Sequence, residues 1–192
     1  MSPSLTIVWF YWTHVSKLSI CYHKFLGQVF LLLATFKIKN FILDRKLYLP
    51  DTSDLHLALE QKDFCSATCM SEKGFGYMWA GAKATYGVNL GSVCFEVRID
   101  RDNDVSHLEN ETDTNVLRCG WSTSSATMQL GEDNFSWGYG GTGIKSVNSK
   151  FSKYGINFGV GDVIGSFLVS LLFTIAYISL SFKKETSSCL DS

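Results

Sequence analysis

Between residues 93 and 99 the chain alternates cleanly. Val93, Phe95, Val97 and Ile99 fall on one side; Cys94, Glu96 and Arg98 fall on the other. A period of two is the mark of a half-buried β-strand. Shorter versions occur at Leu55-His56-Leu57-Ala58-Leu59 and at Val116 to Ser122. Tyr77 to Ala82 is a short apolar run, and Gly161-Asp162-Val163-Ile164-Gly165 is a further strand entry. Residues 60–76 read as a loop, broken by Gly74 and Gly76. Tyr86 to Gly91 is a turn signal, because Asn and Gly tolerate positive φ. The aromatic-glycine run Phe135 to Gly143 predicts a tight turn between aromatic-rich strands. No helical period is visible between 47 and 160. Many short strands with glycine-rich turns predict an all-β fold, an antiparallel β-sandwich.

The two ends read differently. Residues 1–43 hold no Asp or Glu and four Lys, and are crowded with aromatics such as Trp9, Phe10, Tyr11 and Trp12. The longest clean apolar piece there, Phe25 to Phe36, is too short to span a bilayer, which takes about 20 residues. The charges of the N-terminal stretch fall inside its apolar part rather than before it, unlike a signal peptide. Residues 1–46 are therefore expected to be an apolar extension outside the domain: a membrane-associated segment, or sequence such as translated non-coding sequence that belongs to no folded domain. Val163 to Phe182 is uncharged over 20 residues and is closed by Lys183-Lys184. That fits a single transmembrane helix at 163–182. Its serines and glycine dilute the apolarity, however, and Ile178 to Phe182 alternates as a strand does. The expected division is a domain over 47–182 and a polar tail over 183–192.

A net charge of −1 over 192 residues argues against a polyanion-binding surface covering the whole chain. The six cysteines form no dense disulfide framework. Cys94 and Cys119 sit inside apolar strands and read as free buried thiols. Cys65 and Cys69 have the spacing of half a metal site, with no second pair to complete it. Residues 100–115 form an acidic, solvated loop. Asp100, Asp102 and Asp104 have calcium-loop spacing and Glu111 stands at position 12, but Val105 replaces the required glycine. Gly138 to Gly143 lacks the Gly-Lys-Ser/Thr ending of a phosphate loop. His14, His23, His56 and His107 form no metal pair and no triad element. The aromatics Trp79, Tyr86, Trp121, Phe135, Trp137 and Tyr139 read as packing groups, with base stacking as the sharper alternative. Asn110-Glu111-Thr112 and Asn134-Phe135-Ser136 match the glycosylation pattern, which matters only in a secretory protein. No catalytic, cofactor-binding or metal-binding residue is identified, no cofactor is implied, and the chain reads as a non-enzyme.

Leu117 to Ser122, Gln129-Leu130-Gly131-Glu132-Asp133, the Gly140-Gly141-Thr142-Gly143 turn and Gly161 to Gly165 occur in an order that resembles the core of a SPRY domain. Asp54-Leu55-His56, Met78 to Val88, Gly91 to Val97 and Asn148-Ser149-Lys150-Phe151 look most like the heterogeneous nuclear ribonucleoprotein U-like proteins. The resemblance covers roughly 54–167. It implies a nuclear protein-interaction module whose partner binds through loops at one end of the sandwich. The loops at 60–76 and 100–115 are candidates by exposure alone. It also implies RNA binding, through family parts that have no counterpart in this sequence. The family pattern fails after Phe167, where Leu168 to Tyr177 is an apolar insert. The sandwich is therefore expected to be incomplete at its C-terminus. The alternative is a membrane-anchored SPRY protein.

Overall fold

The computed structural model describes residues 5–12, 15–25, 53–60, 66–70, 78–88, 91–103, 107, 116–170 and 181–185. Its elements are strands: β1 (Leu5–Trp12), β2 (Val15–Phe25), β3 (Leu57–Leu59), β4 (Ser66–Cys69), β5 (Ala80–Val88), β6 (Gly91–Asp102), β7 (Leu117–Thr123), β8 (Ser136–Gly140), β9 (Ile144–Val147), β10 (Lys150–Lys153), β11 (Val163–Ser170) and β12 (Ser181–Glu185). They form two six-stranded sheets. The first runs β10-β9-β8-β7-β1-β5 and the second β12-β11-β6-β2-β4-β3. The pairings are antiparallel, as expected for a sandwich.

Alternation decides what lies between the sheets. Phe95, Val97 and Ile99 of β6 are buried, while Glu96 and Arg98 are half-exposed. Leu117, Cys119 and Trp121 of β7 face them, joined by Ala80, Ala82 and Ala84 of β5 and by Ile164 and Leu168 of β11. The rings of Phe95 and Trp121 lie 5.1 Å apart, tilted by 56°. Aromatic pairs favour such tilted contacts over a face-to-face sandwich.

Three expectations are corrected. Val163–Ser170 is not part of a helix. It is strand β11, with Ile164 opposite Val97 on one side and Lys184 on the other. The serines and glycine that dilute its apolarity fit a strand whose neighbours satisfy its backbone. Among the described residues no helix is long and apolar enough to cross a membrane. Of the insert expected at 168–177, residues 168–170 continue β11, and 171–177 lie outside the described residues.

The N-terminal stretch is not wholly outside the sheets either. β1 lies between β5 and β7, with Trp12 opposite both Ala80 and Leu117. β2 lies between β6 and β4, with Ile20 opposite Val97 and Leu18 opposite Ala67. An aromatic and β-branched sequence suits a central strand. The charges that count against a signal peptide are tolerated in a sheet, where successive side chains face opposite ways. Residues 26–46 lie outside the described residues. The third correction is local: the 60–76 loop contains β4, whose Ala67 and Cys69 are buried.

Candidate binding cleft on the first sheet

Arg118 stands beside Trp79, one of the residues that line a surface cleft. It lies on β7 between the buried Leu117 and Cys119, so it projects from the face of the first sheet opposite the core. Its Nη1 donates to the Leu130 carbonyl at 3.1 Å, and Glu132 lies 3.9 Å away. The guanidinium sits 5.1 Å from the Trp79 ring centroid and 5.3 Å from that of Phe151. Stacking on two rings holds a flat cation in one orientation.

Two walls rise beside it. One is the turn at 54–57 clamped to the start of β5. Asp54 Oδ2 accepts from the Gly81 amide at 2.8 Å, and the Asp54 amide donates to the Gly81 carbonyl at 2.9 Å. The His56 ring shares a hydrogen bond of 3.0 Å with the Trp79 carbonyl. The other wall is the 124–134 loop. The Asp133 carboxylate organises it, accepting from the Thr127 amide at 2.7 Å, the Phe135 amide at 2.9 Å and the Ser136 hydroxyl at 2.9 Å. Partial burial pushes its pKa up, but these hydrogen bonds outweigh burial and hold it below the usual carboxylate range. Lys83 Nζ donates to the Ala126 carbonyl and ties the loop to β5. Burial pulls the Lys83 pKa down, with Asp133 opposing.

The loop lies close to the sheet because glycine allows it. Gly131 has φ of 85°, and a Cβ there would meet Ser146 Oγ at 2.0 Å. Between the walls is a cleft of about 290 Å³, lined by Asp54, His56, Met78, Trp79, Met128 and Gln129. Met78 is 48% exposed. Two thioethers and an indole give a polarizable, adaptable apolar floor. Asp54, His56 and Gln129 supply a few polar contacts. That mixture suits a side chain from a peptide partner. The His56 ring is engaged with backbone.

Sequence-predicted candidates fall elsewhere. Cys119 is fully buried and free, its thiol pushed up to about 12 by burial. Cys69 is likewise buried, its thiol donating to the Met70 carbonyl at 3.6 Å. The side chain of Cys94, and all of Cys65, lie outside the described residues. Asp100 pairs with Arg98 at 2.7 Å, and Asp102 belongs to β6, its pKa raised by partial burial. Asp104 and Glu111 lie outside the described residues. Among the described residues no group of three His, Cys, Asp or Glu side chains could hold a metal ion. Trp121 and Tyr139 are core, whereas Phe135 is 45% exposed. Asp54, Met78, Met128 and Gln129 are not predicted as site residues. Their available signal is two methionines, Met78 and Met128, outside any alternating stretch.

Residues 92–185 match the SPRY domain family. The chain is 41% identical over 134 residues, 70% of its length, to heterogeneous nuclear ribonucleoprotein U-like protein 2 of Mus musculus and of Homo sapiens. It is 41% identical over 90 residues to the ATP-dependent RNA helicase DDX1 of Xenopus laevis. The aligned parts are 17% of the U-like proteins and 10% of the helicase.

Proposed function

We propose that this chain, which carries a SPRY domain, is the non-enzymatic protein-interaction module of a nuclear ribonucleoprotein U-like, RNA-binding and RNA-processing protein. The cleft is the surface that holds the partner. It takes a short peptide, with an apolar side chain against Met78, Trp79 and Met128. The observation that carries this reading is the Trp79–Arg118–Phe151 stack. It fixes the cleft's aromatic wall before any partner arrives, and preorganisation lowers the entropy lost on binding. The ribonucleoprotein setting and the nuclear location rest on the similarity to the U-like proteins.

The test is to tether the chain and compare the nuclear proteins retained by wild type, Met78→Asp and Gln129→Arg. Both changes lie on the rim and leave the core intact. Loss of a common set of proteins from both variants supports the cleft. Retention of the same set by both folded variants overturns it.

A further inference from the structure

The first sheet ends at the β9–β10 hairpin, where β10 is the edge strand. Lys150, Phe151, Ser152 and Lys153 are all exposed. From Asn134 to Gly161 the chain has three lysines and no acid, although its overall charge is −1. Those lysines are Lys145, Lys150 and Lys153, all exposed and all on this hairpin. Two large aromatics stand among them, Phe151 at 52% exposure and Tyr154 at 42%.

The register sorts them. Phe151 pairs with Ser146 and Lys153 with Ile144, so these share one face of the hairpin. Lys150 pairs with Val147 and Ser152 with Lys145, so the other two lysines share the opposite face. There Lys145 Nζ lies 5.4 Å from the Tyr154 ring centroid. Each face therefore combines cation and aromatic.

The hairpin is also held in place. Its two-residue turn has Asn148 at φ 50° and Ser149 at φ 55°, the left-handed pair that matches strand twist. The Asn148 amide donates to the Asp133 carbonyl at 2.8 Å, and the Ser149 amide to the Gly131 carbonyl at 3.1 Å.

Lysines on an edge strand ordinarily serve to repel other strands. That role does not account for two exposed aromatics beside them, which attract rather than repel. Tyr154 meets the Tyr139 ring edge-on and Phe151 meets Arg118, which fixes both rings while leaving them partly exposed. Cations interleaved with exposed rings suit a polyanion that carries flat bases. We infer that the β9–β10 hairpin binds single-stranded nucleic acid, with phosphates at Lys145, Lys150 and Lys153 and bases stacked on Phe151 and Tyr154. Of these residues Phe151 also touches Arg118 behind the cleft, whereas the three lysines and Tyr154 take no part in the peptide-binding reading.

The test measures anisotropy of a fluorescein-labelled oligouridine RNA of about 12 nucleotides with the full chain, at salt from about 50 to about 200 mM. Wild type is expected to bind and to weaken as salt rises. K145A/K150A/K153A should flatten the log–log salt dependence by about 2, near 0.7 for each lysine. F151A/Y154A should weaken binding about tenfold or more and leave the slope unchanged. A duplex of equal length should bind more weakly, and DNA of the same length tells whether the sugar matters. Met78→Asp should bind RNA as wild type does, so loss of cleft binding and loss of RNA binding are separable. The inference is overturned if wild type shows no binding at low salt. It is equally overturned if folded lysine and aromatic variants bind like wild type, or if polyglutamate competes as well as RNA while F151A/Y154A changes nothing.

Discussion

The indole nitrogen of Trp121 donates to Ser166 Oγ at 2.8 Å, from one sheet of the sandwich to the other. Both residues are fully buried. The largest side chain at the centre of the core thus has its polar atom satisfied by a strand of the opposite sheet. A buried donor without a partner is costly, so this contact fixes how β7 and β11 face each other.

Ser166→Ala should strand that indole donor. The expected cost is about 1–3 kcal/mol, read as a lowered urea midpoint with an unchanged slope. A midpoint equal to wild type would show that Trp121 finds another acceptor.

Gly120→Ala should be worse. A Cβ on Gly120 would sit 1.9 Å from the Trp137 carbonyl oxygen, a backbone atom that cannot rotate away. β7 and β8 would have to separate. The expected loss is about 3 kcal/mol or more, measured by thermal unfolding.

Asp133 makes stability depend on pH. Its pKa is lower in the folded chain than in the unfolded one. Its stabilisation is therefore complete above the unfolded value, about 3.9, and is lost as pH falls through the folded value. Asp133→Asn should be less stable than wild type at neutral pH. The gap between the two urea midpoints should narrow below about pH 4. A gap that stays constant with pH would show that charge plays no part in holding the 124–134 loop.

Cys119 should be silent to alkylation in the native state. It is buried, and its thiol titrates near 12, so at mildly alkaline pH it is neither ionised nor accessible. Iodoacetamide followed by peptide mapping should label it only after denaturant is added.

A chain starting at Leu47 should fail to unfold cooperatively. It lacks β1 and β2, which stand between β5 and β7 and between β4 and β6. Without them β5 and β7 in the first sheet and β4 and β6 in the second each lose a partner, leaving open edges that invite aggregation. A sharp thermal transition from soluble 47–192 protein would contradict this.

The all-β class was legible locally. Strand periodicity is a property of neighbouring residues, so Phe95, Val97 and Ile99 announced their buried face without reference to anything distant. The same holds for the turn after β8 and for the blocks that resemble a SPRY domain, and residues 92–185 do match that family. The 163–182 stretch could not be settled this way. Twenty uncharged residues satisfy both a membrane helix and a buried strand, and only the pairing of Val163–Ser170 with β6 and β12 made that part a strand.

The cleft was not legible for a related reason. Its walls come from residues 54–56, 78–79 and 128–129, which are ordinary in sequence and meet because Asp54 and His56 clamp one wall to 79–81 while Arg118 and Asp133 hold the loop opposite. The aromatic N-terminal stretch likewise gave no sign of its place. What the sequence determined by itself is which segments can be strands and which faces they bury. What only the tertiary structure decided is which strand lies beside which, because antiparallel pairing joins residues far apart in the chain and no local pattern records the partner.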